Sequence, residues 1–263
     1  MNTIFDFQKK KYSQQKITMM TCYDFTFAKI LQKTNIDCIL VGDSVAQVMH
    51  GHTNTLKATA RIMAMHTAAV VRGVSNKFVV ADMPFLSTRK GLKHTMDCID
   101  LIMKAGARAI KIEGADGHLD LIKHIVESGI PVMGHLGLTP QSIHQLGGPK
   151  VQGRKTEQAL KIMNDAKALE SAGCFSLVLE CVPSPLAQEV TEALKIPVIG
   201  IGAGPYTDGQ VLVLQDMLGM NPDFNPKFLK KYLNGAELIT EALNDYVSDV
   251  NSMKFPNKEH IYE

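Results

Sequence analysis

Four acidic residues stand where short apolar runs end. Asp43 follows Cys38-Ile39-Leu40-Val41-Gly42, and Asp82 follows Phe78-Val79-Val80-Ala81. Glu113 follows Lys111-Ile112, and Glu180 follows Leu177-Val178-Leu179. A lone acid in such a place has an ordinary explanation: it caps the next helix or pairs with a neighbour. Four acids on one rim repel one another, and their pKa values rise unless a cation joins them. Oxygen ligands with few carboxylates and room for water suit Mg²⁺. Lys111 could neutralise part of this charge, bind a substrate carboxylate, or form a plain salt bridge to Glu113 or Glu180. His135, in Gly134-His135-Leu136, is either a donor in the site or a packed histidine bonded to backbone.

Weaker signals lie around this set. His50 and His52 flank Gly51, and H-x-H alone suggests metal. The acids are the better magnesium set, which leaves that pair a loop role. His66, inside a helical pattern, reads as a satisfied core or interface histidine. The glycines between Gly200 and Gly204 could cradle an anion or form a tight turn, and their spacing is not a dinucleotide fingerprint. The fourteen methionines read as core filler. Cys22, Cys38, Cys98, Cys174 and Cys181 include no C-x-x-C pair, so buried free thiols of a reducing cytoplasm are expected rather than disulfides or zinc.

The elements that must position these residues alternate. Apolar runs at 19–23, 38–42, 78–84, 109–114, 131–137, 175–182 and 197–204 have strand length, and a further candidate lies at 210–214. Nearly continuous runs such as Cys38-Ile39-Leu40-Val41 are typical of parallel strands covered on both faces. Helical patterns lie between them. Asp24 caps one, and 59–72 carries an apolar stripe that ends at Gly73. Patterns at 92–105, 116–128 and 156–172 each end at a glycine. Ser184-Pro185 opens another that runs to Leu194, and 226–250 is the last. Eight strands in one undivided chain predict an α/β fold: a (β/α)8 TIM barrel, a single domain over 1–263 with an N-terminal extension of about 16 residues. A doubly wound open sheet is the alternative. The link from Gly204 to Gln210 is too short for a crossover helix. Either helix seven is vestigial, or 210–218 is itself helical.

Composition agrees with this reading. The 263 residues are 45% hydrophobic and 21% charged, which excludes a disordered chain. A length near the roughly 250 residues of a (β/α)8 barrel fits as well. The net charge of +2 gives no reason to expect a nucleic-acid or membrane partner. Lys9-Lys10-Lys11, the longest like-charge run, reads as a solvated N-terminal segment. No apolar stretch nears the ~20 residues of a membrane span, and residues 1–12 lack a secretion-signal centre. A cytoplasmic protein is expected.

The strand ends also resemble a known family. Val41-Gly42-Asp43-Ser44, Gly51-His52, His66-Thr67-Ala68-Ala69-Val70 and Ala81-Asp82-Met83-Pro84-Phe85 resemble ketopantoate hydroxymethyltransferase (3-methyl-2-oxobutanoate hydroxymethyltransferase). Lys111-Ile112-Glu113-Gly114, the run from Gly134 to Ser142, Leu179-Glu180-Cys181-Val182-Pro183 and the run from Pro197 to Gly204 continue the likeness in order. The resemblance starts near Thr21. It implies transfer of a hydroxymethyl group from 5,10-methylenetetrahydrofolate to 3-methyl-2-oxobutanoate, giving 2-dehydropantoate, a precursor of pantothenate and coenzyme A. It also implies a bound Mg²⁺, which stabilises an enolate, and a homo-oligomer, a decamer in the bacterial enzymes. Carried over by position, Asp43 and Asp82 match metal-binding acids that also meet the substrate, and Glu113 matches the acid that reaches the metal or its water. Ser44 and Lys111 match keto-acid contacts, and Glu180 matches the general base. Thr59-Ala60-Arg61 and Leu86-Ser87-Thr88-Arg89 depart from the family pattern, at surface and loop positions. Another Mg²⁺-dependent barrel acting on α-keto-acid enolates, as in the phosphoenolpyruvate mutase and isocitrate lyase group, is the nearest rival. A non-catalytic scaffold barrel is a further one.

Overall fold

Eight parallel strands close into a barrel in the order β1 to β8. The computed structural model describes residues 1–262, so Glu263, the end of the predicted domain range, lies outside the described residues. The strands are β1 (Ile17–Thr21), β2 (Cys38–Val41), β3 (Phe78–Asp82), β4 (Ala109–Glu113), β5 (Val132–Gly137), β6 (Ser176–Glu180), β7 (Val198–Ile201) and β8 (Gly209–Leu212). Closure, in which β8 pairs with β1, settles the choice between barrel and open sheet. The helices of this part are α1 (Ile4–Tyr12), α2 (Phe25–Gln32), α3 (Val45–Val48), α4 (Ala60–Gly73), α5 (Leu92–Lys104), α6 (Leu119–Glu127), α7 (Ile143–Leu146), α8 (Thr156–Ser171) and α9 (Ser184–Ala193). Residues Met1–Leu212 form one compact unit and Val213–Glu263 a second. The second holds α10 (Leu214–Met217) and α11 (Gly235–Asn251).

Inward-facing positions alternate along each strand. Their chemistry changes with height in the barrel. Ile17, Met19, Cys38, Leu40, Phe78, Val80, Ala109, Met133, Val178, Ile199 and Val211 form one buried cluster. Two residues further along the same inward rows stand Asp82 after Val80, Lys111 after Ala109, His135 after Met133 and Glu180 after Val178. A dry lower layer thus carries an ionisable upper layer at the C-terminal rim.

The lower mouth is closed by α1. Phe7 is fully buried in the same cluster. It meets Phe78 edge-on at 5.3 Å and Phe175 at 5.1 Å between ring centroids. The N-terminal segment is therefore a plug, and the reading of Lys9-Lys10-Lys11 as solvated holds for the exposed Lys9 but is corrected for Lys10 and Lys11. Lys10 pairs with Asp37 at 2.6 Å, and Lys11 pairs with Asp208 at 2.7 Å and donates to the Thr191 carbonyl. Period alone could not show this, because the helix buries a single residue, Phe7.

Local signals held at most helix ends. Asp24 caps α2 by accepting from the Phe27 amide, and Thr59 caps α4 by accepting from the Ile62 amide. Gly73 differs from expectation: it ends inside α4 instead of following it. A Cβ there would lie 2.5 Å from the Ala28 Cβ, so this glycine lets α4 approach α2 closely. Pro183 rather than Ser184 is the cap residue of α9. No helix separates β7 from β8, so helix seven is vestigial, and only Leu214–Met217 within 210–218 is helical. The last helix starts at Gly235 instead of near Pro226. All five cysteines are free.

The plug makes a stability prediction. Phe7→Ala removes a buried aromatic packed between Phe78 of β3 and Phe175, just before β6, and is expected to cost about 3–5 kcal/mol. Urea unfolding measures it, and a loss under about 1 kcal/mol would show that the lower layer closes without α1.

Candidate active site

Sheet register brings the ionisable residues together. Asp82 pairs across the sheet with Lys111, and Glu113 with His135. His135 is level with Val178, so Glu180 stands one pleat higher on the same face. Gly42 occupies the inward position after Leu40, and its missing side chain leaves room beside the Asp82 carboxylate and Ser44 Oγ. Gly137 has φ of 90°, and a Cβ there would strike the Glu180 carbonyl, so only glycine lets the end of β5 lie against β6. Leu138 N then donates to that carbonyl at 2.8 Å.

The resulting constellation is almost dry. Asp43, Asp82, Lys111 and His135 are each at most 4% exposed. Lys111 Nζ lies 3.1 Å from Asp82 Oδ1 and 3.9 Å from Glu113 Oε1. Its principal partner is thus Asp82, not Glu113 or Glu180. The Asp43 amide donates to Asp82 Oδ2 at 2.9 Å. His135 spans two acids, with Nδ1 3.4 Å from Glu113 Oε1 and Nε2 3.2 Å from Glu180 Oε2. Lys111 Nζ approaches the same Nδ1 at 3.1 Å. His135 is therefore a member of the site, which resolves its two readings.

Electrostatics follow from this packing. Burial, then the charges of Glu113 and Asp82, push the Asp43 carboxyl well above its ordinary range. Burial also raises Asp82, although Lys111 opposes it. Burial disfavours the Lys111 ammonium, but Asp82, Glu113 and Asp43 outweigh this and hold its pKa up. Burial would raise Glu113, yet bonding to His135 and the Lys111 charge bring it below its usual range. Burial and Lys111 act to lower His135, while Glu113 and Glu180 carry it up to about 9.

Two further residues join the set without having been singled out. Gln141, just beyond β5, donates through Nε2 to Asp43 Oδ2 at 2.8 Å and to the Met83 carbonyl, and its amide donates to Glu113 Oε2 at 3.0 Å. Tyr23 is fully buried, and its hydroxyl lies 2.7 Å from Ser44 Oγ. Their only sequence signal is a polar residue shortly after an apolar run. Beyond Glu180 the chain turns sharply, with Cys181 at a φ of 48°, an unusual conformation for a residue with a side chain. The glycines at 200 and 204 pack against Thr207 and Ser184, as a tight turn does. A pocket of about 90 Å³ opens beside Glu113 and Gln141, with Met83, Leu86, Arg89 and His118 in its wall.

Among the described residues, no group of three or more His, Cys, Asp or Glu side chains forms a ready-made metal cage. Lys111 and Gln141 stand among the acids instead. The donor set nonetheless suits a hard divalent cation. Asp82 Oδ1 and Glu113 Oε1 are buried, and what they meet is cationic or ionisable: Lys111 at 3.1 and 3.9 Å, and His135 at 3.4 Å from Glu113. Asp43 and Asp82 also bear the raised pKa values of carboxylates short of positive charge.

Comparison with known proteins bears on what this site serves. A family model described as ketopantoate hydroxymethyltransferase matches residues 1–258. A 3-methyl-2-oxobutanoate hydroxymethyltransferase of Bdellovibrio bacteriovorus is 60% identical over 262 residues, covering 100% of both chains. One from Coxiella burnetii is 58% identical over 259 residues, covering 98% of this chain and 97% of that one. Among solved structures, a phosphoenolpyruvate phosphomutase from Streptomyces platensis has a TM-score of 0.66 at 11% identity, covering 100% of this chain and 92% of that one. A phosphonopyruvate hydrolase solved with oxalate and Mg²⁺ has a TM-score of 0.64 at 10% identity, covering 99% and 93%. These two likenesses show the fold alone.

The raised Asp43 pKa carries a stability prediction. A carboxyl held above its unfolded value keeps its proton more tightly in the folded state, so folding loses stability as pH rises above the unfolded pKa. Asp43→Asn removes that loss and can still accept from Gln141. In metal-free protein the variant is expected to melt at higher temperature at neutral pH, with the difference vanishing in strong acid. Scanning calorimetry measures it, and a neutral-pH melting point at or below the parent's would contradict the electrostatic reading.

Proposed function

Because the chain belongs to the ketopantoate hydroxymethyltransferase family, we propose that it takes its one-carbon unit from 5,10-methylenetetrahydrofolate and adds it to an enolate of 3-methyl-2-oxobutanoate. It is an enzyme, a hydroxymethyltransferase of that family. The observation that carries the mechanistic reading is the division of the four acids. Three lie around Lys111, while Glu180 stands apart beyond His135. The Glu180 side chain is also the more open, at 17% exposed against 3% for Asp82 and 5% for Glu113.

On this reading Asp43, Asp82 and Glu113 hold Mg²⁺, and Asp43 and Asp82 also border the keto acid. When bound, the cation supplies Lewis acidity that lowers the cost of negative charge on the keto oxygen. Gln141 must turn off Asp43 for that carboxylate to serve, since its amide now satisfies it. Lys111 and Ser44 bind and orient the keto acid. Ser44 is held for this by the Tyr23 hydroxyl.

Glu180 removes the proton from the carbon alpha to the ketone. It is suited to this because it stands apart from the acids that would hold the cation, and a carboxylate spent on that cation would lose basicity. His135, with a nitrogen 3.2 Å from Glu180, orients the carboxylate. The C–H electron pair passes into the enolate, whose carbon bonds to the donor's methylene carbon. Both C–N bonds of that carbon break in turn. One breaks as the carbon–carbon bond forms, its nitrogen taking up a proton equivalent to the one abstracted. The second breaks as water leaves its oxygen on the carbon and a proton on the nitrogen, giving the hydroxymethyl product and tetrahydrofolate. The protein's part is positioning and charge; the donor carries the one-carbon chemistry.

Wider aspects follow from the same reading. The product, 2-dehydropantoate, feeds pantothenate and coenzyme A synthesis, and the whole of 1–263 serves one barrel enzyme. The enzyme acts in the cytoplasm as a homo-oligomer, a decamer. Exposed apolar residues support assembly: Phe25 and Ile30 on α2, and Leu243, Tyr246 and Val247 on α11. Among the described residues no helix is long and apolar enough to cross a membrane.

The assignment of the base is tested by Glu180→Gln. Deuterium exchange at the reacting carbon, followed by NMR in D2O with keto acid and Mg²⁺ but without folate, is expected to fall at least about a hundredfold, as for a lost general base. Keto-acid binding should persist. Exchange at the parent rate would assign the proton transfer elsewhere.

A further inference from the structure

Three histidines gather where the loop after α3 meets α4. His66 Nδ1 lies 2.6 Å from the Tyr23 carbonyl oxygen, and His66 Nε2 lies 3.0 Å from His50 Nε2. The two rings meet edge-on, with centroids 5.2 Å apart and planes at 87°. The ring of His52 stacks on His50 with centroids 6.4 Å apart.

The tautomers follow from the chemistry. A carbonyl oxygen only accepts, so His66 Nδ1 carries a proton and Nε2 of neutral His66 presents a bare lone pair. That lone pair points at His50 Nε2, which supplies the N–H. A histidine that donates one ring nitrogen to a backbone carbonyl and aims the other lone pair at a neighbour has the arrangement found around bound transition metals. Two imidazoles joined through a tetrahedral ion, with each Zn–N bond at about 2.0–2.1 Å, hold their nitrogens roughly 3.3 Å apart. The observed 3.0 Å therefore opens by only a few tenths of an ångström to admit one. His50 is exposed and His66 half-buried, so water can complete the shell and His50 can move its proton to Nδ1 through solvent.

We propose that His50 and His66, with water completing the shell, form a binding site for a borderline divalent cation of the Zn²⁺, Ni²⁺ or Cu²⁺ class. The nitrogen ligands select that class and reject the hard Mg²⁺ suited to the acids. Bound there, the ion clips the loop after α3 to the middle of α4, and through Tyr23 to the end of β1. Tyr23 is also the residue whose hydroxyl holds Ser44, so the clip stiffens the wall on which Ser44 sits. This inference stands on the histidine geometry and is independent of the reaction assigned above.

The test is calorimetric titration of Zn²⁺ into the full-length protein in excess Mg²⁺. The parent and Asp82→Asn are expected to bind Zn²⁺ alike, with affinity falling about tenfold or more in His50→Ala and in His66→Gln. Zn²⁺ should also raise the melting temperature of the parent but not of His50→Ala. His50 is exposed, so its variant decides the matter even if His66→Gln fails to fold. Absence of Zn²⁺ binding in the parent, or binding unchanged in His50→Ala, would overturn the proposal.

Discussion

Three buried carboxylates in the upper layer of this barrel share a single lysine, and that imbalance governs the rest. Burial in such a place strips water from every charge, and one ammonium cannot offset three anions. The consequences are visible in opposite directions. Asp43 and Asp82 are pushed toward their protonated forms, while Lys111 is held firmly charged. A site so arranged is poised to take up positive charge. Stability alone would favour replacing these groups with apolar ones of similar volume.

The fold can hold this arrangement because the layer beneath it is dry and fixed. A closed barrel leaves no edge along which the strands could slip, so the Asp82–Lys111 and Glu113–His135 pairs are set by register. Phe7 fills the lower mouth against Phe78 and Phe175, at the opposite end of the inward rows that carry the charges. Glycines at 42 and 137 open the space above, one beside Asp82 and one against β6. Rigidity below and room above are what a site needs if its acids must keep their spacing while a ligand enters.

Much of this was legible from sequence. A strand buried on both faces writes itself as a continuous apolar run, so seven strands stand out while the eighth, Gly209–Leu212 with an exposed Gln210, is only a candidate; an ionisable residue that closes such a run stands out too. That singled out Asp43, Asp82, Glu113 and Glu180. Cross-strand relations were not legible, because no local pattern encodes which residue of β6 lies above which residue of β5. His135 therefore had two readings until register placed it between Glu113 and Glu180. Gln141 and Tyr23 escaped for the same reason: each acts through a partner distant in sequence. The plug helix was missed because it is a mostly polar segment with one buried side chain, and the ion pairs of Lys10 and Lys11 are long-range.

The central claim, that the acid cluster is built to receive a divalent cation, is tested most directly by counting protons. Mg²⁺ binding can be followed calorimetrically at mildly acidic pH in buffers of different ionisation heat. Carboxyls with raised pKa values must give up protons as the cation enters, so the account predicts net proton release that diminishes in Asp43→Asn. Mg²⁺ binding with no proton release, unchanged in that variant, would contradict it.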